Sequence, residues 1–214
     1  MTLWCKANGP AAAGLLLAFA LLGGVGNARA DAEAGRQKAQ VCAACHGETG
    51  NSSQPMFPSL AGQPKQFIVS ALYQFREGKR INPVMSPMAA NLTNADLNDL
   101  AAYFSAQKPA APTASVAPGR AAEGAAVALK NNCTACHTAT LAGQQHIPRL
   151  AGQHRDYLAA HLQGFHAGTR AEMDGVMTSA AQGSLRPTSN CLRTTSQHWP
   201  HRKTAGHFIG LALG

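Results

Sequence analysis

Cys42-Ala43-Ala44-Cys45-His46 recurs as Cys133-Thr134-Ala135-Cys136-His137, and the reading of this pair decides the fold. Two thiols at that spacing can add to the two vinyl groups of one haem, and the histidine that follows then meets the iron as proximal ligand. A single C-x-x-C-H is open to other readings: a redox dithiol, a disulfide, or half of a zinc site beside a chance histidine. Two copies in equivalent surroundings favour haem. A zinc site would need both cysteine pairs to converge on one metal and would leave the histidines without a role. The expectation is two covalently bound haem c groups, attached through Cys42, Cys45, Cys133 and Cys136, with His46 and His137 on the irons.

The repeat extends beyond the cysteines. Phe57-Pro58-Ser59-Leu60-Ala61-Gly62-Gln63 matches Ile147-Pro148-Arg149-Leu150-Ala151-Gly152-Gln153. Further on, Phe67, Leu72, Phe75, Gly78 and Arg80 match Tyr157, Leu162, Phe165, Gly168 and Arg170. Residues 31–107 and 120–183 therefore read as two domains built from one unit. Between them, residues 108–119 are rich in proline and alanine and lack helical apolar periodicity, the composition of a semi-rigid linker. Residues 1–30 read as an export signal, with Lys6 in a short polar start, an apolar run from Ala11 to Leu22, and Ala28-Arg29-Ala30 as a cleavage site. That run is shorter than the ~20 residues of a membrane span. Export agrees with haem attachment outside the cytoplasm, so the chain is expected in the periplasm.

The formal charge of +8 is unevenly spread. Residues 31–183 hold 12 basic and 10 acidic side chains, whereas residues 184–214 hold Arg186, Arg193, Arg202 and Lys203 and no acid. No nucleic-acid surface follows from that distribution. Few aromatic side chains are needed, because a covalently held macrocycle gives a small domain its apolar centre.

The first unit is expected to be all-α. Residues 32–45 should form a helix that delivers the cysteines and His46, and residues 64–77 a second. A third should begin after Thr93, with Asp96 completing a capping box and Leu97, Leu100, Tyr103 and Phe104 on one face. An iron that only passes electrons needs a sixth donor, and a thioether raises its potential. Val84-Met85 lies 39 residues after His46 and Val176-Met177 lies 40 after His137, at corresponding places in the repeat. Met85 and Met177 are therefore the expected axial ligands; Met88 aligns with Ala180, and Met173 falls four positions early. The alternative for both is a methionine filling a core gap. Pro58 and Pro148 are expected to supply carbonyls that accept the Nδ1 proton of His46 and His137. His146, His154, His161 and His166 have no histidine counterpart in the first unit and read as solvated.

On these residues the chain resembles the dihaem cytochrome c4 family. The resemblance covers residues 31 to about 183 and rests on Val41 to His46, Cys133 to His137, the two Pro-x-Leu-Ala-Gly-Gln segments, Met85-Ser86-Pro87-Met88 and Leu97 to Phe104. It implies two tandem class I cytochrome c domains. It also implies an electron carrier from a quinol-oxidising complex (quinol-cytochrome c reductase) or a periplasmic dehydrogenase to a terminal oxidase. Partners would then be redox proteins, with peripheral membrane association compatible and no nucleic acid. Two other readings compete: the electron-accepting subunit of a periplasmic dehydrogenase, and a dihaem peroxidase, which would need one iron with an open sixth position.

Residues 184–214 break the pattern. Where the second unit should have its last helix, the chain reads Ser184-Leu185-Arg186-Pro187-Thr188-Ser189-Asn190-Cys191 and continues without helical periodicity. Back-translated from the third base of each printed codon, the stretch from Ser184 allows S-A-P-D-V-E-L-L-A-D-Y-L-A-A-L, which lines up with Thr93 to Phe104. The tail reads as the product of a frameshift after Gly183 and is expected to be disordered, with Cys191 an unpaired thiol.

Overall fold

The computed structural model describes residues 30–111, 119–170 and 172–184. Residues 1–29, 112–118 and 185–214 lie outside the described residues, and with them the expectations of an export signal, a linker and a disordered tail. The described residues are helical, with one isolated bridge, Gln144 to Ile147, and no strand among them.

The chain runs α1 (Ala32–Lys38), a 3₁₀ turn (Ala39–Cys42), α2 (Ala43–His46), α3 (Lys65–Arg76), α4 (Met85–Ala89) and α5 (Asn94–Ala106). It then repeats as α6 (Arg120–Lys130), α7 (Cys133–His137), α8 (Arg155–Ala167) and α9 (Val176–Ser184). The single helix expected over 32–45 is corrected here: it breaks into an α-helix, a 3₁₀ turn and a further α turn. Asp31 caps its start by accepting the amide of Glu33. The 3₁₀ turn carries Cys42, and the tighter winding resets the phase at which the cysteines and His46 leave the axis.

α5 starts as the sequence predicts. Thr93 Oγ1 accepts the amide of Asp96, and the Asp96 carboxylate accepts the amide of Thr93, closing a capping box. Leu97, Leu100, Tyr103 and Phe104 are all buried. Together with Ala39, Ile68 and Ala101 they form the core of the first half, where α1 and α3 both pack on α5. α1 crosses α5 at Gly35, where a side chain would run into the backbone of Asp99. Lys38 Nζ ties the same crossing together, 2.6 Å from Asp96 and 2.6 Å from Asp99.

Among the described residues the second half has no counterpart of α5, but it copies the first in its turns as well as in its earlier helices. After His46 the chain turns through Gly47 at φ 79° and ψ 154°, and after His137 it turns through Thr138 at φ 70° and ψ 163°. Such a conformation is close to glycine-only, so a β-branched residue sits there at a cost. Three residues on, the carbonyl of Gly50 accepts the amides of Leu60 and Ala61, and the carbonyl of Leu141 accepts those of Leu150 and Ala151. Hydrogen bonds therefore impose one loop shape on two different sequences.

Candidate functional site

Each C-x-x-C-H segment ends on a buried histidine whose orientation is set from outside its own helix. His46 Nδ1 donates to the carbonyl of Pro58 at 2.8 Å, and His137 Nδ1 donates to that of Pro148 at 2.8 Å. The carbonyl acceptor fixes the tautomer, leaving Nε2 as the bare nitrogen on each ring. Burial holds both imidazoles below their ordinary pKa, against the opposing pull of the proline carbonyl, so both are neutral. His137 Nε2 is buried with no hydrogen-bond partner. A buried, unpartnered lone pair on an oriented imidazole suits a metal ligand, since it would otherwise be an uncompensated polar group.

The cysteines fit thioether attachment better than redox chemistry. Burial pushes the Cys42 thiol up, with a further push from Cys45, and burial likewise raises Cys133. A redox dithiol needs the opposite, a depressed first thiol. Zinc fares no better: no group of three or more His, Cys, Asp or Glu among the described residues could hold a metal ion.

Of the two expected methionines, Met85 opens α4 and is half-buried, with its amide bonded to Asn82 Oδ1 at 2.8 Å. Met88, one turn on, is exposed. Met177 holds the corresponding place at the start of α9 and is half-buried, its amide bonded to Glu172 Oε2 at 2.9 Å. Met173 is exposed, and its sulfur accepts the hydroxyl of Ser70 at 3.6 Å across the two halves.

Two of the four extra histidines correct the sequence reading. His161 lies between the halves, with Arg80 Nη2 3.4 Å from its Nε2 and Arg170 nearby; burial, then Arg80 and Arg170, hold its pKa down to about 3. His154 Nε2 donates to the carbonyl of Ser52 at 2.9 Å. Both are half-buried and each meets a group of the other half, which periodicity within a unit does not reveal. His146 and His166 are exposed, as expected.

Arg80 and Arg170, which the sequence presents only as matching positions of the repeat, have a further part in the site. Each lies over the phenylalanine five residues earlier, Arg80 at 4.5 Å from the Phe75 ring centre and Arg170 at 4.0 Å from that of Phe165. Neither forms an ion pair among the described residues, and Arg170 Nε is buried without a partner. Burial first, and then Arg80, bring Arg170 down to about 10. Arg80 is buried and Arg170 half-buried, and guanidinium groups held in this way with no ion-pair partner fit a ligand that brings its own carboxylates, as the propionates of haem do. Cysteine pairs, oriented neutral histidines and anion-seeking arginines make a donor set suited to haem in each half.

A helical fold that presents such a set twice defines a dihaem c-type cytochrome. The sequence model of the family described as cytochrome c matches residues 32–108 and 121–191. Cytochrome c4 of Pseudomonas aeruginosa is 39% identical over 165 residues, which span 73% of this chain and 81% of that protein. The crystal structure of reduced recombinant cytochrome c4 from Pseudomonas stutzeri superposes with a TM-score of 0.67 at 31% identity, covering 85% of this chain and 95% of that one. A protein of Thiomonas intermedia named thiosulfate dehydrogenase electron acceptor is 35% identical over 144 residues, 63% of this chain and 66% of its own length. The chain belongs to the cytochrome c family, and within it to cytochrome c4. It is an electron-transfer protein rather than an enzyme, with two class I cytochrome c domains and two covalently bound haem c groups.

Proposed function

We propose that this dihaem carrier works in the periplasm, taking electrons from a quinol-oxidising complex or a dehydrogenase and passing them to a terminal oxidase. In this reading residues 1–30 direct export, 31–107 and 120–183 are the two haem domains, 108–119 link them, and 184–214 are an aberrant tail. Cys42 and Cys45 hold one haem between His46 and Met85, and Cys133 and Cys136 hold the other between His137 and Met177. Pro58 and Pro148 orient the histidines. The observation that carries the reading is the pair of 2.8 Å bonds, one in each half, from histidine Nδ1 to a proline carbonyl. When bound, each haem takes up and releases one electron at its iron. The histidine would supply one oriented donor, and the core of α1, α3 and α5, against which Cys42 packs, would shield the first haem from water. Among the described residues no helix is long and apolar enough to cross a membrane.

Likeness to the Thiomonas protein supports a second reading, in which the donor is a thiosulfate-oxidising dehydrogenase. Stopped-flow mixing of the oxidised protein with each class of donor separates the two. Fast reduction by the quinol-oxidising complex, or by dehydrogenases of other substrates, supports the first reading, and reduction by the thiosulfate-oxidising dehydrogenase alone supports the second. Ready carbon monoxide binding at either reduced haem would count against a methionine on that iron.

A further inference from the structure

Gln63 and Gln153 occupy equivalent places in the repeat, and each sends its carboxamide into the other half. Gln153 Oε1 accepts the amide of Ser59 at 2.9 Å, and its Nε2 donates to the Ser59 carbonyl at 2.9 Å. Gln63 Oε1 accepts the amide of Arg149 at 2.9 Å, and its Nε2 donates to the Arg149 carbonyl at 2.9 Å. Both glutamines are buried, at 4% and 8% exposure, so a side chain that is ordinarily solvated has been placed inside with its amide oxygen and nitrogen both bonded. Ser59 and Arg149 directly follow the prolines that orient the histidines. The peptide whose carbonyl accepts from His46 is thus the same peptide whose N–H donates to Gln153, and the peptide that serves His137 donates to Gln63.

We infer that Gln63 and Gln153 are positioning residues exchanged between the domains, each tuning the iron of the other domain through the His–Pro peptide it clamps. The inference rests on His46 and His137 being the iron ligands. A peptide that donates at its N–H polarises and becomes a better acceptor at its carbonyl. A better acceptor on Nδ1 makes the imidazole a stronger donor at Nε2, and a stronger donor favours ferric over ferrous iron. Each glutamine therefore lowers the potential of the haem in the opposite domain, and it does so only while the two domains are docked.

The test is made on the full-length holoprotein, with the two potentials followed separately by spectroelectrochemistry and by NMR of the haem methyl resonances. Gln153→Leu should raise the potential of the haem held by His46, move the His46 Nδ1–H resonance upfield and leave the other haem in place. Gln63→Leu should do the reverse. A shift confined to the mutated domain, an equal shift in both, or no shift overturns the inference. If either variant does not fold, the ¹⁵N-labelled unmutated holoprotein still decides. Slow exchange of the Ser59 and Arg149 amide protons, with cross-peaks to the opposite glutamine side chains, supports the clamp, and fast exchange or missing cross-peaks sink it. His46→Ala examines the ligand assignment separately. A normal ferric spectrum for the first haem in that variant would remove His46 as ligand whatever the glutamines do.

Discussion

Gly35→Ala should destabilise the first domain, although the same change in an exposed helix is favourable by about 0.5–1 kcal/mol. The sign reverses because α1 crosses α5 at this residue. A β-carbon there would overlap the Asp99 carbonyl and lie 2.8 Å from Tyr103 Cβ, where carbon atoms normally rest about 3.5–4.0 Å apart. The obstacle is backbone, so the helices must part by roughly 1 Å rather than turn a side chain aside. Parting them also stretches the 2.8 Å bond from the Asp31 amide to Asp99 Oδ1 and the two contacts of Lys38 with α5. Overpacking of this kind costs about 1–3 kcal/mol, and a backbone obstacle puts this change in the upper half of that range at about 2–3 kcal/mol, which leaves a net loss of about 1–2.5 kcal/mol after the gain in helix propensity. For a domain of this size that is a fall of roughly 5–15 °C in melting temperature. The assay is thermal unfolding of the holoprotein followed at the first haem, with the second as internal reference. A melting temperature at or above the unmutated value would refute the close crossing.

Met85→Ala should leave its haem attached while lowering its potential and abolishing the far-red band of methionine-bound ferric iron; an unchanged spectrum would pass the role to another donor. Cys42→Ala combined with Cys45→Ala should remove covalent haem from the first domain alone, read as a halved haem stain; loss of both haems would argue against independent units. The Asp96 carboxyl, held at about 2 by the hydrogen bond from Lys38 and then by those from Thr93, lies below its ordinary value near 3.8. Its stabilisation is therefore present above pH 4 and lost as pH falls towards 2, so the melting-temperature gap between the unmutated protein and Asp96→Asn should close over that window. A gap that stays constant with pH would show that the charge is immaterial. Restoring the alternative reading frame after Gly183 should raise the melting temperature of the second domain; identical melting would make the present tail an adequate substitute.

What belongs to a single repeat was legible in the sequence. The start of α5 could be placed because Thr93 and Asp96 carry their own cap, and its buried face because Leu97, Leu100, Tyr103 and Phe104 fall at helical spacing. The bonds from His46 and His137 to the prolines were expected because the same proline stands at the same place in both copies. The break of the first helix at Ala39–Cys42 was not legible, since a 3₁₀ turn leaves no local punctuation in Ala39-Gln40-Val41-Cys42. Nor was anything created by docking. The contacts of His154 with Ser52 and of His161 with Arg80, and the exchange of Gln63 and Gln153, depend on surfaces that meet only when both halves are folded. Their one signal was the glutamine that closes each Pro-x-Leu-Ala-Gly-Gln segment, a polar residue repeated where the turn itself needs none.

The exchanged glutamines obey a rule that belongs to homodimers. In a two-fold interface residue i of one subunit meets residue j of the other, and j meets i in return. Gln63 with Arg149 and Gln153 with Ser59 reproduce that reciprocity inside one polypeptide. A segment joining the halves then has no need to dictate the geometry; covalent connection alone keeps the second half at a high local concentration while the interface chooses the arrangement. A protein cut within residues 112–118 should stay together as a non-covalent pair, and two copies of the first domain carry the start of the same handshake.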